Sequence, residues 1–107
     1  MIMIRHTVLF KLKPDVSKLE VEYIFQDILS LTNQLSGILS ITGGTCFFHE
    51  RKEGQPFTHG FSIDFTDQAA RDSFLNDSIA HPIKTKIVNV ADGGNKGVFG
   101  FDFGEWN

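Results

Sequence analysis

Side chains on a β-strand alternate between two faces, and two segments of this chain use that alternation to build oily rows. In RHTVLFKLK, residues 5–13, His6, Val8, Phe10 and Leu12 share one face. In THGFSIDF, residues 58–65, His59, Phe61, Ile63 and Phe65 do the same. Each row is apolar except for the histidine that opens it. Such rows call for a sheet with a covered face, and they set an imidazole at the rim of each row. Two imidazoles there can be the polar end of a small-molecule pocket, or two histidines that cap a core.

The chain has 107 residues, enough for a single domain, residues 1–107, with a thin core. Ten Lys and Arg stand against 13 Asp and Glu, a net charge of −3. No basic stripe is present, so no nucleic-acid partner is expected. No apolar run approaches the roughly 20 residues of a spanning helix, and the opening MIMIRHTVLF has the pattern of a strand and not of a signal peptide. A lone cysteine, Cys46, forms no internal disulfide and suits a reducing compartment; cytoplasmic residence follows as the default. The unusual count is 11 phenylalanines. Six of them lie in FTHGFSIDF and VFGFDF, which puts apolar surface on both faces of the sheet.

The order of elements reads strand, helix, strand, strand, helix, strand. The first strand spans about residues 2–13 and ends at Pro14, which lacks a donor. Ser17-Lys18-Leu19-Glu20 fits a capping box. Val21, Ile24, Phe25, Ile28, Leu31 and Leu35 then recur at helical spacing, with Gly37 placed as a left-handed terminator. Residues 38–50 read as a strand bulged or bent at Gly43-Gly44, and residues 50–56 as a hairpin loop. A third strand covers 57–65. Thr66 or Asp67 caps a second helix whose Ala69, Ala70, Phe74 and Leu75 face the sheet. That helix falters over 76–82 and resumes with Ile83, Ile87 and Val90. A glycine-rich turn at 92–97 leads to a last strand, with Phe99, Phe101 and Phe103 on one face. The pattern predicts an α+β, ferredoxin-like βαββαβ subunit with an antiparallel sheet and its helices on one side. An apolar second face would need a cover, and a twin copy is the commonest, so a homodimer is expected.

IRHTVLFKLKPDV, FTHGFSIDFTDQAARDSFL and AHP resemble the stress-responsive A/B barrel (Dabb) family over residues 2–90. The resemblance implies a dimeric α+β barrel, in a family most of whose members have no assigned reaction. A more distant resemblance is to the plant olivetolic acid cyclase, which implies histidine chemistry at His6 and His59. The cyclase's catalytic tyrosine falls at Phe74 here, which has no hydroxyl to donate. Its partner histidine corresponds most nearly to His81, one residue further along, so the same aldol chemistry by the same residues is not expected.

His6, His59 and His81 are thus the candidate catalytic residues, each with a structural reading beside the functional one. An imidazole on a cavity wall titrates near neutral pH and suits general-base work. Val8, Phe10, Phe25, Phe61 and Phe74 are the candidate pocket lining for a small apolar ligand. His49 is expected to be exposed. No carboxylate stands at ligand spacing to any histidine, so no metal is expected, and no dinucleotide fingerprint or other cofactor motif is present. Two readings follow. The first is a small homodimeric barrel protein without strong chemistry of its own. The alternative is a cofactor-free cyclase, lyase, isomerase or binder of a hydrophobic carbonyl compound, using His59 with His6 or His81.

Overall fold

The computed structural model describes residues 3–47 and 57–106. Strand β1, Ile4–Phe10, runs down the middle of a four-stranded antiparallel sheet of order β2-β3-β1-β4. Helix α1 is Lys18–Ser30, β2 is Ile38–Thr45, β3 is His59–Phe65, α2 is Gln68–Leu75, α3 is His81–Val90 and β4 is Val98–Gly104. This is the ferredoxin-like βαββαβ arrangement, with the second helix broken in two.

The local chemistry explains the boundaries. Ser17 Oγ accepts from the Glu20 amide at 3.1 Å, the first half of the expected capping box, while the Glu20 carboxylate accepts from the Ser17 hydroxyl at 3.3 Å. Asp67 Oδ1 accepts from the Ala70 amide at 2.8 Å and starts α2. Between α2 and α3, Asp77 Oδ1 accepts from the Ile79 amide at 2.7 Å, an Asx turn that competes with helix continuation. Pro82 then sits in the first turn of α3, where its missing N–H costs nothing.

The two oily rows meet as their parity requires. β1 pairs Val8 with Phe61 and His6 with Ile63. Val8, Phe10, Phe61, Ile63 and Phe65 are buried beneath Ile24 and Ile28 of α1, Phe74 of α2 and Ile87 of α3. Leu12 is half-buried and bridges to Ala91 beyond β1.

Three expectations need correction. Gly37 does adopt a left-handed φ of +83°, but the α-helix ends earlier, at Ser30, and a 3₁₀ turn follows. Gly37 therefore shapes the entry to β2, where a Cβ would lie 2.6 Å from that of Ala70. Gly43 and Gly44 stay in regular register with Phe61 and Gly60, and the irregularity falls instead between Ile38 and Ser40. Gly43 is small for a packing reason: a Cβ there would meet Phe25 at 2.7 Å and Phe61 at 2.9 Å. Ala69 and Leu75 are exposed, and only Phe74 and Ala70 of that helix turn to the core. His49 and the hairpin loop 50–56 lie outside the described residues.

The opposite face of the sheet is oily over one half only. Phe99, Phe101 and Phe103 of β4 are 54%, 59% and 41% exposed, with Leu9 beside them on β1. Over β3 and β2 the same face carries Ser62, Asp64, Ser40 and Thr42, because the alternation that buries Phe61, Ile63 and Phe65 leaves polar residues outward. Arg5 makes a bidentate pair with Asp64 at 2.7 and 2.9 Å. That hydrogen bond, with a smaller contribution from Ser40, holds the Asp64 carboxyl below the ordinary range against the opposing effect of burial.

The glycine pair gives a direct test. Gly43→Val is expected to destabilise the fold by about 1–3 kcal/mol through overpacking against Phe25. Gly44→Val, where a Cβ would meet nothing within 4 Å, is expected to stay within about 0.5 kcal/mol. Urea unfolding of both variants checks the contrast.

Candidate functional site

The pairing of β1 with both β3 and β4 decides what surrounds His6. β4 is antiparallel to β1 in a register that sets Asp102 directly opposite His6. His6 Nδ1 and Asp102 Oδ1 lie 2.5 Å apart, with only 12% and 23% of the two side chains exposed. Arg71 of α2 donates from Nη1 to the other Asp102 oxygen at 2.8 Å. Strand, edge strand and helix are thus tied by one carboxylate. A carboxylate oxygen beside Nδ1 can only accept, so a neutral imidazole in this pair carries its proton on Nδ1 and its lone pair on Nε2. The Phe74 ring meets the imidazole edge-on, 5.7 Å between centroids.

His6 lines a cavity of about 260 Å³ between sheet and helices, walled by Val8, Phe61, Phe74, Ile87 and Val98. Its rim carries Lys84 and Asn95. Gly100, inward on β4 opposite Val8, leaves the floor open, since a Cβ there would meet no atom within 4 Å. Lys84 Nζ sits 4.8 Å from the Phe74 ring centroid and donates to the Leu75 carbonyl at 2.9 Å. Burial lowers its pKa below the ordinary lysine value, with Asp77 pulling weakly the other way.

The three candidate histidines are not brought together. His59 pairs with Phe10, four residues along β1 from His6 and so roughly 13 Å away at 3.3 Å per residue. Val8, Phe10 and Phe61 fill the interval. The His59 ring stacks on Phe10 at 5.9 Å and tilts against Phe25 at 6.1 Å, with Nδ1 2.8 Å from Thr58 Oγ1. It borders a separate recess of about 440 Å³ with Leu12, Val21, Glu22 and Thr45. His81 is exposed at the start of α3 and lines a third, surface depression with Pro82 and Asp77. Of the expected pocket lining, Val8, Phe61 and Phe74 reach the His6 cavity, Phe25 reaches the His59 recess, and Phe10 is packed between the two. Among the described residues no cluster of His, Cys, Asp or Glu could hold a metal ion. No described helix is long and apolar enough to cross a membrane.

Sequence reading missed Asp102, Arg71, Lys84 and Gly100. Asp102 carried one usable signal: it lies on the parity opposite the phenylalanine row of VFGFDF, where an inward residue of a last strand belongs.

The family model for the stress-responsive A/B barrel domain matches residues 4–103. The chain therefore belongs to that family. No curated protein matches it significantly. Among solved structures it is similar to a dimeric ferredoxin-like protein of unknown function from Jannaschia sp. CCS1, at 21% identity and a TM-score of 0.82 over 94% of this chain and 97% of that one. It is similar to the hydroxynitrile lyase of Passiflora edulis at 19% identity and a TM-score of 0.81, over 96% and 93% of the two chains. A Dabb family protein with a ferredoxin-like fold from Mesorhizobium loti aligns over 100% of both chains at 21% identity and a TM-score of 0.76. At these identities the likeness defines the fold.

If Asp102 links three elements, removing it has a structural cost. Asp102→Ala is expected to destabilise the fold by about 1–3 kcal/mol, the range for leaving a partly buried charged partner unsatisfied. Arg71→Ala should add less in that background than in the wild-type protein, which a double-mutant cycle in urea measures.

Proposed function

We propose that this protein is a homodimer that binds a small apolar carbonyl compound in the His6 cavity, where His6 acts as a general base without a cofactor. One observation carries the reading: a histidine held by a paired carboxylate, on the wall of an otherwise apolar cavity. Asp102 orients the ring and stabilises the imidazolium that forms when Nε2 takes a proton. The apolar walls keep water from competing for the base. The cavity is close to the lower end of the usual range for ligand pockets, about 300–1,000 Å³, which favours a single ring or a short chain. A structural relative named a hydroxynitrile lyase supports small-molecule chemistry on this fold by analogy only. His59 and His81 have no part in this step, and the first reading, a barrel without chemistry, is the outcome that the test must exclude.

The dimer reading draws on the exposed row of Phe99, Phe101 and Phe103 and on relatives described as dimeric. Three phenylalanines in line on a sheet face form a patch that water tolerates poorly, and a second copy of the same face is its simplest cover.

Base chemistry is testable without the natural substrate. Phenylacetone in D₂O exchanges its benzylic protons when a base removes one to give the enolate and deuterium returns to the same carbon. The wild-type protein is expected to accelerate this exchange, followed by proton NMR. His6→Ala is expected to lower the acceleration by about 10²-fold or more, while His81→Ala leaves it unchanged. No acceleration by the wild-type protein would leave the chemistry-free barrel as the answer. For the assembly, sedimentation at micromolar concentration is expected to give a dimer that Phe101→Glu converts to a monomer; a monomeric wild-type protein would contradict the dimer.

A further inference from the structure

One wall of the His6 cavity carries a charge that the base chemistry does not use. Lys84 Nζ donates to the Leu75 carbonyl at 2.9 Å and approaches the Phe74 carbonyl at 3.4 Å, at the C-terminal end of α2. Those contacts occupy two of the three ammonium hydrogens. Arg5, Arg71 and Lys86 each pair with a carboxylate, whereas Lys84 forms no ion pair among the described residues. It lies over one side of the Phe74 ring, 4.8 Å from the centroid, and the same ring borders His6 at 5.7 Å. Base and cation therefore flank one aromatic side chain and face one cavity.

We infer that the His6 cavity takes a small hydrophobic carboxylate, with its apolar body against Val8, Phe61 and Ile87 and its carboxylate on Lys84 Nζ. The inference rests on the reading of this cavity as the ligand site, and it specifies the ligand's charge. A cation drawn partly out of water and held by two carbonyls, with Asp77 too far for an ion pair, is incompletely compensated. An arriving carboxylate relieves that penalty and adds a charge-assisted hydrogen bond at the remaining donor. A neutral carbonyl gains only the hydrogen bond. The open floor at Gly100 supplies the room.

Phenylacetate and phenylacetone share a benzyl body and differ in charge, so NMR titration of the 107-residue chain with each isolates the cation. The wild-type protein is expected to bind phenylacetate about 10-fold more tightly than phenylacetone or better, the size of one charge-assisted contact. Lys84→Gln is expected to erase that preference and to change phenylacetone affinity less than about 2-fold, because it keeps a donor and loses only the charge. Gly100→Val, which fills the floor, is expected to abolish binding of both. A measurement on the unaltered protein guards against a variant that fails to fold: the Lys84 Cε resonance should shift with phenylacetate and stay in place with phenylacetone. Equal affinity for the two probes in the wild-type protein overturns the inference, as does a preference that survives Lys84→Gln or a Lys84 resonance that phenylacetate does not move. Exchange of phenylacetone that depends on His6 alongside any of those results would overturn the carboxylate and leave the base standing. A carboxylate preference that depends on Lys84 without exchange would do the reverse.

Discussion

β1 is hydrogen-bonded along both edges, so its side-chain parity is imposed on both neighbours at once. Val8 and Phe10 can face the helices only if Phe61, Ile63 and Phe65 of β3 do too, and only if β4 turns Val98, Gly100 and Asp102 the same way. A slip of one residue in β4 would exchange that inward row for Phe99, Phe101 and Phe103. The cavity would then fill with aromatic rings, and the carboxylate that faces His6 would go to the outer face. The site exists because the register holds.

The inward row of β4 is unusual for a strand that faces the helices. It offers a half-buried valine, a glycine and an aspartate where three apolar side chains would pack better. The glycine leaves open space, and the aspartate brings a charge that meets both Arg71 and His6. Each departs from what packing alone would choose, and both fall at the same end of the sheet. A partly buried polar cluster is costly unless its members satisfy one another. Here the carboxylate uses one oxygen on the imidazole and the other on the guanidinium.

The outer face divides along the same strands. Where β3 buries its apolar row, its outward positions are glycine, serine and aspartate, and Asp64 is neutralised by Arg5. Where β4 turns its polar row inward, its phenylalanines stand outward. The edge strand that borders the site carries its aromatic residues on the surface, and that surface is where a second copy would gain most from contact.

The sequence by itself determined the order of elements, the parity of β1 and β3, the capping of the two helix starts and the break before His81. Each is a local property: alternation, helical spacing, a side-chain oxygen three residues from an amide, a proline without a donor. Parity also aimed His6 inward, without deciding between a pocket wall and a capped core. The sequence did not link His6 to Asp102, 96 residues away, or Arg71 to either of them, because antiparallel register between non-adjacent segments leaves no mark in local spacing. For the same reason His6 and His59 looked like partners. Both open an apolar row, but antiparallel pairing runs those rows in opposite directions and so sends the two rings to opposite ends of the sheet. Tertiary structure alone decided which histidine meets a carboxylate, where the cavity opens and which lysine stands at its rim.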